Sequence, residues 1–191
     1  MVFLREAFIF LIKIIFDLYF LAVLLRFLFQ YFQVDFYNPF SQFILKITDP
    51  VLAPLRNKLP HIRKIDTAAL LLLFGLKIVV FLGITLLIKK MLPHVLGVVI
   101  WSLGEIISQT INFFFFSVLL VAILSWINPR NYTPFTSLLI QITNPLMITA
   151  RRWMPRTMGI GFSSIIVLII LKLADVLVAS PIIGLGIIFS Y

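Results

Sequence analysis

The chain of 191 residues has no cysteine, only two histidines and only seven acidic side chains. The missing cysteine excludes disulfides, thiol chemistry, iron–sulfur clusters and haem attachment through thioethers. His61 and His94 flank different apolar segments and have no second ligand at metal spacing, so no metal site is read from them. Charged residues make up 12% of the chain, where a soluble domain carries about a quarter. No Ser/His/Asp set stands together, and the glycines, scattered from Gly75 to Gly186, form no phosphate loop.

What is present is apolar surface. Hydrophobic residues make up 62% of the chain, and 20 of its residues are phenylalanine. A chain of this kind is a polytopic membrane protein, because its apolar side chains face lipid and neighbouring helices. The formal charge of +9 reads as loop charge that sets orientation against an anionic leaflet. Nucleic acid is not the expected partner for these cations, since little beyond Trp153 interleaves an aromatic ring among them.

A proline-punctuated segment occurs twice. Moving the sequence by 95 residues places Thr133-Pro134-Phe135 under Asn38-Pro39-Phe40, and Thr143-Asn144-Pro145 under Thr48-Asp49-Pro50, without a gap. Arg151 then falls under Arg56, Pro155 under Pro60, Trp126 under Tyr31 and Lys172 under Lys77. The chain is therefore expected to be a tandem duplication. Residues 1–90 form the first repeat, 91–104 a linker and 105–191 the second repeat.

Within each repeat the same order of elements is expected. A span needs roughly 20 residues, and the spans fall at about 7–32, 67–88, 105–127 and 162–188. Residues 92–103 are apolar but short, which suggests an interfacial or re-entrant helix. From Phe40 to Thr48 the apolar positions Phe40, Phe43, Ile44 and Ile47 follow a helical period, with Ser41, Gln42 and Lys46 between them. That pattern predicts an amphipathic helix lying in the interface, ended by Pro50 and Pro54. Its second copy covers about 133–148, and Ser180-Pro181 is expected to kink the last span. The N-terminal apolar run reads as a retained first span.

Lys46, Arg56, Lys58, Arg63 and Lys64 lie between the first two spans, and Arg130, Arg151, Arg152 and Arg156 between the last two. The positive-inside rule places both loops in the cytoplasm and both termini on the periplasmic side. Two spans per repeat make the duplication parallel, with a pseudo-two-fold along the membrane normal. Guanidinium and ammonium groups at Arg56, Lys58, Arg63, Lys64, Arg151, Arg152 and Arg156 either set topology alone or also bind anionic lipid headgroups or a protein partner.

The ionisable residues inside the spans are the sharper candidates. Lys77 lies ~16 Å into its helix from Asp66, and Asp17 about 22 Å from the end of the first span, so the two can meet near mid-depth. In the second repeat the Asp17 position is Asn112, and Lys172 has Asp175 one turn along its own helix. An unpaired charge at the bilayer centre costs ~3 kcal/mol or more, so pairing is expected. The pairs either hold the helices together or form a polar path for an ion. A structural pair predicts loss of folded protein for either single substitution and recovery in the double.

The motif around Asn38, Pro39, Thr48, Pro50, Pro54, Arg56, Pro60, Ile65 and Asp66 resembles that of the bacterial YggT (YlmG) family. In the second copy Pro134, Thr143, Pro145, Arg151, Arg152, Pro155, Gly159 and Ile160 agree with it. Asn57, Thr149 and Gly161 depart from the pattern, and Gly161 leaves the motif's acidic position filled in the first repeat only. The resemblance implies a non-enzymatic inner-membrane protein without cofactors, linked to osmotic-stress tolerance, ion homeostasis or envelope organisation. Membrane lipids, a second copy of the chain or another membrane protein are the partners it implies. A channel or transporter element for cations is the alternative.

Overall fold

The computed structural model describes residues 2–59, 65–127, 133–152 and 160–191. Among them every regular element is a helix. The order is α1 (Val2–Tyr31), α2 (Pro39–Arg56), α3 (Thr67–Lys89), α4 (Val95–Ile127), α5 (Pro134–Arg152), α6 (Ile160–Ala174), one π-helical turn (Asp175–Ala179) and α7 (Ser180–Ile188). Four stretches are long and apolar enough to cross a membrane: Phe3–Tyr31, Thr67–Ile88, Val95–Ile127 and Ser163–Ile188. The protein is thus an all-helical, multi-pass membrane protein.

The expected linker at 91–104 differs from what is observed. Residues 95–104 are the first turns of α4, which continues without a break to Ile127. No backbone feature separates them from the third span, and their glycines Gly97 and Gly104 are buried against Ser190 and Ile183. A Cβ on Gly97 would meet the Ser190 backbone, and one on Gly186 the Trp101 backbone. The start of α4 and α7 therefore touch almost backbone to backbone, as small residues allow between membrane helices. The His94 N–H donates to the Ser190 carbonyl at 3.1 Å and closes that end.

Pro50 and Pro54 do not stop α2, which runs on to Arg56, and Pro145 lies inside α5, which reaches Arg152. Pro50, Pro54 and Pro145 are all exposed, so the carbonyls that lose their amide partner lie on the outer side of each helix. The inner side of α2 packs without interruption through Ser41, Ile44, Thr48 and Leu52. Each of these helices starts at its proline, whose missing N–H is an orphan at that position in any case. Asn38 caps α2 by accepting from the Phe40 N–H at 3.0 Å, and Thr133 caps α5 by accepting from the Thr136 N–H at 3.3 Å.

In the last span the irregularity precedes the proline. The ring of Pro181 crowds the carbonyl four residues back, and the chain widens into the π turn at Asp175–Ala179. The Ser180 N–H and hydroxyl both reach the Asp175 carbonyl, the latter at 3.1 Å.

α1 packs on α3, α3 on α4, and α4 on α6 and α7. The main core lies between α1, α2, α3 and the inner side of α5, around Val23, Leu24, Phe29, Leu52, Leu73 and Ile142. A smaller one joins α4, α5 and α6 through Val118, Met147 and Val167. α2 and α5 meet side by side: Asn38 Nδ2 donates to the Pro134 carbonyl at 2.8 Å, and the Phe40 and Phe135 rings pack edge-on at 5.0 Å. Both therefore sit at the same end of the four long helices.

Candidate functional site: an intramembrane polar network

α3 carries one ammonium group into the interior. Lys77 Nζ donates to Asp17 Oδ1 of α1 at 2.9 Å and lies 4.4 Å from the centre of the Phe20 ring. Its side chain is 3% exposed, against 32% for Asp17. The 95-residue equivalents repeat this geometry. Lys172 Nζ donates to Asn112 Oδ1 of α4 at 3.1 Å and lies 5.4 Å from the Phe115 ring. It also lies 3.5 Å from Asp175 Oδ2.

α4 joins the two pairs. Gln109 Nε2 donates to Asp17 Oδ1 at 2.9 Å, and Glu105 Oε2 lies 3.9 Å from Lys77 Nζ. The Ser108 hydroxyl donates to Asp175 Oδ1 at 2.7 Å, and Asn112 Nδ2 donates to the Ser108 carbonyl at 2.9 Å. Asp17, Lys77, Lys172 and Asp175 are thereby linked across four spans.

Sequence reasoning missed Glu105, Ser108 and Gln109. With the span taken to begin at Glu105, that carboxylate looked like an end residue, whereas α4 begins ten residues earlier. The signal was present in the spacing: positions 105, 108, 109 and 112 share one face of a helix that is otherwise apolar. The network brings together Asp17, Lys77, Lys172 and Asp175.

A second cluster sits where α1, α2 and α3 meet. Asp66 is fully buried; its Oδ1 caps α3 by accepting from the Ala69 N–H at 3.2 Å, while its Oδ2 takes the Arg56 guanidinium through Nε and Nη2. Arg56 Nη2 also reaches Gln30 Oε1 at 3.4 Å. Arg26, 7% exposed, donates to Asp49 Oδ1 at 3.1 Å. In this way one carboxylate starts the second span and ties it to the end of α2. The second repeat has Val121, Asn144 and Gly161 in place of Arg26, Asp49 and Asp66, so it cannot build this cluster.

Among the motif residues, Thr48 and Thr143 are buried and bond alike to the carbonyl four residues back, each at 2.7 Å. Asn38, Pro39, Pro50, Pro134 and Pro145 cap or punctuate α2 and α5 as above. Arg56 ends α2 rather than lying in a loop, and Arg151 and Arg152 likewise end α5. Lys58 and Arg152 are exposed. Pro60, Arg63, Lys64, Pro155 and Arg156 lie outside the described residues. Among the described residues, Arg56, Lys58 and Arg152 do not join the intramembrane network. Among the described residues no group of His, Cys, Asp and Glu is arranged to hold a metal.

Four apolar spans joined by ion pairs between helices define the class, a small polytopic membrane protein with a polar network inside its bundle. The CCB3/YggT family model matches the chain twice, at residues 5–87 and 100–182. Start and end of the match are both displaced by the 95 residues that relate the two proline segments. The chain belongs to the CCB3/YggT family. It is 38% identical to Escherichia coli K12 YggT, over 89% of this chain and 88% of that one. An uncharacterized Pseudomonas aeruginosa protein is 36% identical over 93% of this chain and 91% of its own length. A Haemophilus influenzae protein is 38% identical over 79% and 80% of the two chains. No solved structure matches.

Proposed function

We propose that the protein is a non-enzymatic accessory component of the bacterial inner membrane that supports osmotic-stress tolerance or envelope organisation through lipid and protein contacts. The observation that carries this reading is the outer surface of α2. Phe43, Ile47 and Val51 are exposed at a helical spacing beside Lys46, while Ser41, Ile44, Thr48 and Leu52 face inward. On this reading α2 and α5 are amphipathic ledges on the cytoplasmic face of two parallel repeats, and both termini are periplasmic. Apolar side chains enter the acyl boundary, and Lys46, Lys58 and Arg152 meet anionic headgroups at roughly 1 kcal/mol each.

Lipid mass spectrometry on protein purified in mild detergent tests it. Anionic lipid should be enriched with wild type and depleted with the triple variant Lys46→Gln, Lys58→Gln, Arg152→Gln. The same variant should fail to restore growth of a deletion strain at high osmolarity. Equal lipid profiles together with full restoration would remove the reading.

A cation-conducting element is the second reading, favoured by the continuity of polar groups from Lys77 to Lys172 across the bundle. Against it stand the two lysines, which repel cations, and the direct bonds that occupy each charge. Proteoliposome flux compared between wild type and Lys77→Met decides. Flux above background that disappears in the variant would make conduction the primary function.

A further inference from the structure

The two halves place the same lysine in different surroundings. The Lys77 side chain is 3% exposed and that of Lys172 is 52% exposed, although both belong to apolar spans and both reach the equivalent partner on the preceding span. The difference comes from what covers them. α4, the first helix of the second repeat, lies over α3 and brings Glu105 to Lys77 and Trp101 to Phe81, the rings 4.5 Å apart. α6 and the π turn, equivalent to α3, do not receive α1 in the same way within the chain, since α1 packs mainly on α2 and α3.

The 95-residue relation says which surfaces should meet if the α3–α4 contact occurs again. Lys77 with Glu105 becomes Lys172 with Phe10, and Phe81 with Trp101 becomes Val176 with Glu6. All four of these residues are exposed, Phe10 at 62% and Val176 at 59%. Glu6 lies one turn from Phe10 on α1, within reach of a lysine held opposite Phe10. Among the described residues Lys77 has two carboxylates, Asp17 and Glu105, whereas Lys172 has Asp175 alone at 3.5 Å and stays half-exposed; a second carboxylate at that depth offsets the cost of the ammonium in lipid.

We infer that a second copy of this chain covers Lys172, its α1 packing on α6 and the π turn as α4 packs on α3, with Glu6 of one copy facing Lys172 of the other. The contact is head to tail, so two such contacts join two copies in a ring of four hairpins. It adds a defined self-interface to the protein and stands whether or not the lipid reading above holds.

The absence of cysteine makes the test direct. Glu6→Cys and Val176→Cys are placed on separately tagged full-length copies, co-expressed, and oxidised in native membranes. A disulfide-linked species carrying both tags is expected. Glu6→Cys paired with Val79→Cys, exposed on α3 at a similar depth, should give little. Equal yields from both pairs, or a Val176→Cys homodimer as abundant as the mixed species, would overturn the interface. As both positions are exposed, neither change threatens the fold. In a second measurement, energy transfer between labelled copies in liposomes, Lys172→Leu should weaken association roughly tenfold and Lys172→Arg should preserve it. Unchanged association of Lys172→Leu would show that the lysine faces lipid.

Discussion

Lys77 and Asp17, 60 residues apart, meet at 2.9 Å between the two spans of the first repeat, and Lys172 meets Asn112 across the same 60 residues at 3.1 Å. One pair is ionic and nearly closed to the surroundings at its lysine end; the other is neutral on one side and open. The duplication has kept the position of the contact and changed its charge.

Removing one member of the closed pair should therefore cost more than removing both. Lys77 would keep only Glu105 at 3.9 Å after Asp17→Asn, and Asp17 would keep Gln109 after Lys77→Met. Because Asp17 is a third exposed, the expected loss for either single change is about 1–3 kcal/mol, below that of a fully buried pair. The double variant should recover at least half of it. Thermal unfolding of the solubilised protein measures the cycle, and additive losses would show that the pair is not coupled.

Asp66 should be the least replaceable side chain at the α2–α3 junction. Asp66→Ala removes the cap of α3 and strands the Arg56 guanidinium, an expected loss of about 3 kcal/mol or more. Asp66→Asn keeps an acceptor for the Ala69 N–H and should lose less. Folded yield in membranes and unfolding temperature rank the two, and equal values would refute the dual role.

Arg26 behaves oppositely. Its Nε and Nη1 are buried without a partner among the described residues, and only Nη2 reaches Asp49. Arg26→Met should change stability by no more than about 1 kcal/mol, since loss of one bond to a half-exposed carboxylate is offset by relief of the buried donors. A loss as large as that of Asp66→Ala would show that those nitrogens are satisfied in the membrane.

The glycines divide into two sets. Gly97→Ala and Gly186→Ala should separate α4 from α7 and destabilise the second hairpin by more than about 1 kcal/mol, because a methyl group there collides with backbone. Gly75→Ala and Gly83→Ala meet nothing within 4 Å and should stabilise α3 by about 0.5–1 kcal/mol each. Unfolding temperatures of the four variants give the comparison.

Orientation is checked with single cysteines. Lys58→Cys should react with a membrane-impermeant maleimide only after the cells are opened, and Tyr191→Cys in intact spheroplasts. The reverse pattern would invert the assigned topology.

The sequence by itself determined that there are four spans, the starts of α2 and α5 and the meeting of Lys77 with Asp17. These follow from local quantities: apolar length, proline position and helical rise. It also contained the repeat, since one displacement aligns both proline segments and both lysines. The tertiary structure decided what local reasoning misjudged. α2 passes through Pro50 and Pro54 because packing through Ile44, Thr48 and Leu52 holds the helix while the freed carbonyls face outward. Residues 95–104 join α4 because Gly97 and Gly104 fit against the end of the chain, a contact between segments some 90 residues apart. Glu105, Ser108 and Gln109 acquire their roles only when α4 lies between α3 and α6. A side chain's partner in lipid is set by which helices become neighbours, and no window of sequence contains that choice.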